Sequence, residues 1–169
     1  SGSRVAFGTE TFAGDNNVTK AVNPYISGQF FFDIRPETAN KWLVWAKCRN
    51  ASNGHRLYDS ERNYGNYLMS HNSLNSNYDT QGIQGPNSNI GYIVGDSDSL
   101  NNGGDNYIYW NFLTATQFFD VQKYIGNGNS QTIQHDLGVE PGFIMIKSLS
   151  SAEGWYCYHH ELGFDKFLE

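Results

Sequence analysis

Residues 106–113 read NYIYWNFL, and their alternation is the clearest indication of the fold class. Tyr107, Tyr109 and Asn111 fall on one side of an extended chain, and the residues between them fall on the other. Aromatic and β-branched side chains fit the pleated surface of a sheet. The stretch therefore predicts a β-strand.

Further strand signals lie on both sides of this segment. Trp42–Cys48 is a nearly continuous apolar run between polar turns, as expected of a central strand covered on both faces. Asn53-Gly54 and Asn127-Gly128 indicate tight hairpin turns. No segment keeps a helical period over three turns. The other predicted strands are 29–34, 56–58, 67–69, 91–94, 118–125, 132–135, 143–147 and 155–158.

The composition of the 169-residue chain agrees with many short strands. It holds 19 Asn and 18 Gly, which favour turns, and 15 % aromatic residues, which favour sheets. Strands at roughly ten-residue spacing with Asn and Gly turns are typical of a sandwich or barrel. The sequence predicts an all-β fold, an antiparallel β-sandwich of the jelly-roll or lectin-like type.

Charge and hydropathy narrow the possible partners. The net charge is −6 and no run of Lys or Arg occurs, so we expect no nucleic-acid binding. No stretch of about 18 apolar residues exists, so we expect no membrane insertion. Cys48 and Cys157 lack zinc-like neighbours and are predicted to be two separate buried thiols.

Two spacings indicate an internal repeat. Residues 43–47 (LVWAK) resemble residues 143–147 (FIMIK) at a spacing of 100, which apolar and turn positions keep as far as Leu68 and Leu168. Residues 11–17 resemble residues 123–129 at a spacing of 112. The difference implies extra residues between positions 18 and 41. Coincidence between two apolar strand-turn-strand segments is the alternative.

The repeat predicts a first β-sandwich module over residues 7–117 and a truncated second copy over residues 118–169. A partial β-module cannot bury its hydrophobic face alone. Either the second copy belongs to a longer tandem array, or its strands complete the sheets of the first copy. In both cases we expect Ile144 and Ile146, or their facing partners Phe143 and Met145, to lie in a contiguous core or in an interface with a neighbouring chain.

The second copy carries a family resemblance. Its motifs are FFDV at 118–121, YIGNG at 124–128, I-x-H-x-LG at 133–138, Pro-Gly at 141–142 and FIMIK at 143–147, closed by Trp155, Tyr158 and His159.

Residues 42–169 thereby resemble a β-rich module of uncharacterised function that is repeated in bacteriophage tail-fibre and virion proteins, especially of marine phages. The match is most specific over residues 118–159, and residues 18–41 depart from it. The resemblance implies a structural role in the virion, an extracellular location and assembly into a homo-oligomer, with a trimer suspected. It supplies no catalytic residues.

The sequence contains no recognisable catalytic motif. His159 and His160 are adjacent on a predicted strand, so they should point to opposite faces and not share a metal. Asp59, Glu61 and Glu161 show no pairing of the kind that glycosidases need. The loop from Asp96 to Asp105 is rich in oxygen ligands, and a solvated turn is favoured there over a calcium site.

Three functions follow in order of preference. The first is a structural segment of a tail fibre or other virion appendage that binds other virion subunits and contributes to attachment to the host surface. The second is a lectin-like module that binds surface glycans, with Tyr92, Asp96, Asp98 and Tyr107 as the contact residues, because the Asp- and Asn-rich loop lies between two Tyr-bearing strands. An enzyme acting on polysaccharide comes last. We expect no catalytic residue, metal or cofactor.

Overall fold

The computed structural model of the chain describes residues 6–24, 32–38, 40–88 and 91–169. All strand pairs in this part are antiparallel, and short 3-10 helices occupy Pro36–Thr38 and His160–Leu162. No helix in these ranges is long and apolar enough to cross a lipid bilayer. The all-β class is confirmed. The strands are β1 Phe7–Ala13, β2 Lys20–Val22, β3 Trp42–Cys48, β4 Arg56–Asp59, β5 Asn66–Tyr67, β6 Asn77–Tyr78, β7 Ile83–Pro86, β8 Tyr92–Val94, β9 Asn106–Leu113, β10 Phe143–Lys147 and β11 Trp155–His159.

The largest sheet has the order β1-β9-β3-β4. Strand β9 is the segment predicted from its alternation, and the side formed by Tyr107, Tyr109 and Asn111 is fully buried. Strand β3 lies inside the sheet, as predicted for Trp42–Cys48. One of its faces is buried and the other only half-buried, because the second face carries the amphipathic side chains of Trp45 and Lys47.

A three-stranded sheet with the order β2-β8-β7 shares its core with the largest sheet. Both sheets contribute fully buried aromatic and aliphatic side chains to one cluster. The hydroxyl of Tyr92 on β8 donates a hydrogen bond to Asn111 Oδ1 on β9 at 2.7 Å, inside that cluster. The cluster contains Val22, Phe32, Ile34, Trp42, Val44, Ala46, Cys48, Tyr58, Ile83, Tyr92, Val94, Leu100, Tyr107 and Tyr109.

Hairpins β3–β4 and β10–β11 have the same register at an offset of 100 residues. Leu43 pairs with Asp59 and Phe143 with His159, and the next pairs along each hairpin keep that offset. The isolated bridge between Leu57 and Leu68 also has a counterpart 100 residues later, the bridge between Cys157 and Leu168. The spacing seen in the sequence thus corresponds to a repeated backbone geometry.

The two hairpins differ in their surroundings. Strand β3 pairs with β9 along one edge and with β4 along the other. Strand β10 pairs with β11 alone in the described part of the chain. Phe143, Ile144 and Ile146 are accordingly exposed, and Met145 is half-buried. Packing within the described part of the chain therefore does not bury Phe143, Ile144 and Ile146. That they lie in an interface with a neighbouring chain stays a prediction.

The strands predicted at 118–125 and 132–135 are absent, and both predictions are wrong. The sequence equivalent of 118–125 is β1, which forms by pairing with β9 along its whole length. No described strand lies in the corresponding place beside 118–125. Instead the rings of Phe118 and Phe119 pack against Phe112, at centroid distances of 6.4 and 5.4 Å.

The strand predicted at 29–34 is not found in the described residues, and the two predicted buried thiols are found only in part. Residues 29–31 of the strand predicted at 29–34 lie outside the described residues, and residues 32–34 do not form a strand although Phe32 and Ile34 are buried. Both cysteines are free, as predicted; Cys48 is buried, whereas Cys157 is only half-buried because it lies on the less covered hairpin.

We predict that Tyr92→Phe lowers the free energy of unfolding by about 1–3 kcal/mol, because the buried Asn111 Oδ1 loses its donor. Tyr58→Phe is the matched control. The Tyr58 hydroxyl is also buried but has no hydrogen-bond partner in the described part of the chain, so its removal should cost little or stabilise the fold. Urea denaturation followed by fluorescence measures both changes. Equal losses in the two variants would contradict this account of the core.

Candidate functional site

The two tyrosines predicted to contact glycans lie in the core. Tyr92 and Tyr107 have no exposed surface. The Tyr107 hydroxyl donates to the backbone oxygen of Asp98 and accepts from the backbone N–H of Asn102, both at 2.9 Å. Burial raises the pKa of Tyr92 well above its usual value. In this structure neither ring offers a surface on which a sugar could stack.

The loop that carries Asp96 and Asp98 is held by hydrogen bonds to the turn after β1. The buried Asn101 amide donates to Asp15 Oδ1 and to the backbone oxygen of Asn17, each at 3.0 Å. The loop is therefore attached to the turn after β1. Across the described residues, no three His, Cys, Asp or Glu side chains come together as a metal-binding group.

The adjacent histidines do not point to opposite faces. Strand β11 ends at His159, and His160 begins a 3-10 helix, so the alternation of a strand no longer applies. Their rings stack at a centroid distance of 4.8 Å. His160 Nε2 lies 2.8 Å from a carboxylate oxygen of Glu161, at the surface.

The second hairpin exposes a continuous apolar face, here called the hairpin face. It consists of Ile144, Ile146 and Tyr156 on the strands, with Phe164 and Phe167 beside them. These side chains are 37, 43, 37, 87 and 56 % exposed, respectively. The Phe167 ring packs against Tyr156 at 5.1 Å.

The register of the hairpins identifies the counterpart of this face. Val44 and Ala46 occupy in β3 the positions of Ile144 and Ile146 in β10, and neither has exposed surface. The side chains that form the inner, buried surface of the first hairpin are thus matched in the second by a surface open to solvent. Exposed apolar patches on soluble proteins mark interaction sites.

A cleft of about 620 Å³ lies beside the first hairpin. Its walls come from the chain before β3 and from the turn after β4, so it joins segments that are separate in the sequence. Such a volume is within the usual range for small-molecule sites, about 300–1,000 Å³. The lining residues are Ile34, Pro36, Asn40, Lys41, Trp42, Ser60, Glu61, Arg62, Asn63 and Tyr64.

Arg62 is one of the charged residues that line this cleft and is buried, with a relative exposure of 9 %. Its Nε and Nη2 atoms donate to Asp59 Oδ2 at 2.9 and 2.6 Å, and Nη2 also donates to the backbone oxygen of Leu57 at 3.0 Å. Nη1 is buried and has no partner in the described part of the chain. Glu61 is paired with Lys41 at 3.5 Å.

A smaller cleft of about 260 Å³ lies on the second hairpin and shares part of its position with the first cleft. It is lined by Glu140, Pro141 and Phe164, which stand 100 positions after Asn40, Lys41 and Tyr64, and by two further residues. Position 162, the counterpart of Arg62, is Leu. The two clefts thus have three equivalent positions in their lining, but the charged Arg62 occurs only beside the first.

Sequence reasoning identified the apolar residues of β10 but not the cleft. The repeat comparison contained the one available signal, an Arg at position 62 against a Leu at position 162. That difference has no evident meaning until the structure shows that Arg62 is buried and partly unsatisfied.

A family model described as a domain of unknown function, DUF7483, matches residues 33–169, which is most of the chain. No curated protein matches. No solved structure matches.

We predict that Arg62→Leu lowers the free energy of unfolding by about 3–5 kcal/mol, because it leaves the mostly buried Asp59 carboxylate without its cation. The double variant Asp59→Asn/Arg62→Leu should regain most of that loss. Lys20→Met is the control: it breaks a more exposed pair with Asp15 and should cost about 0–1 kcal/mol. Urea denaturation of these variants and the wild-type chain measures the coupling. A double variant no more stable than Arg62→Leu would contradict it.

Proposed function

Because the chain belongs to the DUF7483 family, a domain of unknown function, we propose a role from its surface: it is a structural β-module that assembles with further copies of itself through the hairpin face. The resemblance of residues 118–159 to tail-fibre modules supports placing this assembly in a bacteriophage virion appendage, outside the cell. Homo-oligomerisation, with a trimer as the expected form, and attachment to a host surface belong to the same proposal.

The finer architecture that we propose is a tandem sandwich. Support comes from the common core of the sheets β1-β9-β3-β4 and β2-β8-β7, which is how two packed sheets bury their inner faces. Support for a second copy comes from the identical register of the two hairpins at an offset of 100 residues. Hairpin β10–β11 then has in the second module the place that β3–β4 has in the first.

The observation that carries the proposal is the contrast between equivalent faces. Val44 and Ala46 are covered by the rest of the first module, whereas Ile144 and Ile146 have no such cover. Burying a large aliphatic or aromatic side chain contributes about 1.5–3 kcal/mol. Covering several residues of the hairpin face together is therefore a strong driving force for association.

A second copy of the chain fits this surface for a physical reason. The hairpin face consists of apolar and aromatic side chains and includes no charged one, so two such faces can meet without burying an unpaired charge. In a symmetric oligomer the same patch meets itself, which suits a face of uniform chemistry. The edge of β10 that has no partner strand in the described part of the chain adds backbone groups that a neighbouring strand can satisfy.

We predict that the chain self-associates at micromolar to millimolar concentration and that Ile144→Lys/Ile146→Lys makes it monomeric, since two charges would have to be desolvated in the interface. Size-exclusion chromatography with light scattering measures the mass of each species.

Val18→Lys is the matched control, because Val18 is a similarly exposed aliphatic residue in the turn after β1, outside the hairpin face. It should leave the mass of the oligomer unchanged. A monomeric wild-type chain over the whole concentration range would overturn the proposal, as would an oligomer that survives the two lysines.

A further inference from the structure

We propose that Asn127-Gly128 is a site of spontaneous deamidation, at which the side-chain amide of Asn127 is converted into a carboxylate while the fold stays intact. The sequence contains three Asn-Gly pairs, at 53–54, 102–103 and 127–128. Glycine lacks a Cβ, so its backbone nitrogen can approach the side chain of a preceding Asn closely. The structure leaves the reaction open at the last pair and hinders it at the other two. Asn127 is not part of the hairpin face, so this inference is independent of the assembly role.

The reaction needs only the chain and water. The backbone nitrogen of Gly128 attacks Cγ of Asn127, a new N–Cγ bond closes an imide ring, and the Cγ–Nδ2 bond breaks. Nδ2 leaves as ammonia and carries away the proton that the Gly128 nitrogen loses. Water then adds to one of the two imide carbonyls and opens the ring, which gives aspartate, or isoaspartate with the main chain running through Cγ. The attacking nitrogen and the leaving nitrogen therefore both have to be available.

Both nitrogens are available at Asn127. Asn127 and Gly128 are exposed and belong to no strand or helix. Neither Asn127 Nδ2 nor the Gly128 N–H has a hydrogen-bond partner in the described part of the chain. A Cβ placed on Gly128 would meet no atom within 4 Å, so the loop has room for ring closure. Asn127 Oδ1 accepts the Asn129 N–H at 2.9 Å, which places a donor where negative charge develops during the attack.

The pair at 102–103 has both of these nitrogens bound. Asn102 Nδ2 donates to Asp105 Oδ2 at 2.9 Å, and the Gly103 N–H donates to Asn16 Oδ1 at 2.6 Å. Both hydrogen bonds have to break before the ring can close. Two such bonds slow the reaction about tenfold to a hundredfold.

The pair at 53–54 is held by packing as well as by hydrogen bonds. Asn53 Nδ2 donates to the backbone oxygen of Asp98 at 2.7 Å, and the backbone oxygen of Asn53 accepts from Lys47 Nζ at 2.6 Å. A Cβ placed on Gly54 would clash with the ring of His71, so this ring covers the peptide. The Gly54 nitrogen therefore cannot turn towards the Asn53 side chain without moving its neighbours.

The carboxylate that forms fits the turn that it occupies. At the spacing of 112, residues 127–128 correspond to Asp15-Asn16. Asn16 and Gly128 both have a positive φ, 58° and 75°. Asp15 Oδ1 and Asn127 Oδ1 each accept the N–H of the residue two positions later, at 3.0 and 2.9 Å. A carboxylate already occupies this geometry in the first copy, so the aspartate product should keep the turn and make the chain one charge more negative.

The test is peptide mapping by mass spectrometry of the full chain, kept in mildly alkaline buffer and sampled over weeks. The Lys and Arg positions place the three Asn-Gly pairs in three different tryptic peptides. A parallel sample in guanidinium chloride gives the rate at each pair without the fold. We expect Asn127 to react at about the same rate in both samples, and Asn53 and Asn102 to react about tenfold to a hundredfold more slowly in the folded one.

Two variants separate the site from general ageing of the chain. Asn127→Gln should abolish the early acidic species that ion-exchange chromatography resolves, because the longer side chain closes its ring much more slowly. Asn16→Gly removes the acceptor of the Gly103 N–H and keeps the positive φ without strain. It should speed the reaction at Asn102 about two- to tenfold, the value of one hydrogen bond, and leave that at Asn127 unchanged.

Three results would overturn the proposal. The first is a reaction at Asn127 that is about tenfold or more slower in the folded chain than in the unfolded one, which would mean that the loop protects it. The second is an early acidic species that survives Asn127→Gln, because it would then arise at another residue. The third is loss of the cooperative thermal unfolding transition in the purified aspartate product, which would contradict the match to the turn at Asp15.

Discussion

The pairing of β9 between β1 and β3 is the interaction on which the rest of the structure depends. Seven consecutive residue pairs join β9 to each neighbour, so this strand fixes the register of the whole sheet. Its buried side also meets the second sheet, where Asn111 Oδ1 accepts a hydrogen bond from the Tyr92 hydroxyl. The buried Asn111 is tolerated because its amide group also donates hydrogen bonds to the backbone oxygens of Gly8 and Tyr109.

The need for a central partner strand also explains why hairpin β10–β11 leaves its apolar face exposed. Hairpin β10–β11 reproduces the backbone of β3–β4, yet the described residues include no counterpart of β9 beside it. Without that strand, residues 118–125 have no partner to pair with and the inner surface of the hairpin stays open. A hairpin can form from its own turn and cross-strand pairs, but covering its apolar face requires additional elements.

The two clefts show how side chains on one backbone geometry acquire different chemistry. Arg62 and Asn63 give the first cleft hydrogen-bonding groups, and Leu162 and Gly163 remove them from the second. The second hairpin exposes an apolar face, whereas the first carries the paired side chains of Asp59 and Arg62 beside its cleft. A few substitutions therefore change the surface of the hairpin while its register stays the same.

The sequence alone determined the β class, the strand at 106–113 and the correspondence of the hairpins, because alternation and spacing are local properties that survive in any tertiary context. It could not determine which face of a strand is covered, since that depends on partners distant in sequence. Only the tertiary structure therefore showed that Tyr92 and Tyr107 are core residues, and that residues 118–125 lack a partner in the described part of the chain. Only it brought Arg62 into a cleft with residues from before β3, because such a site forms when separate segments meet.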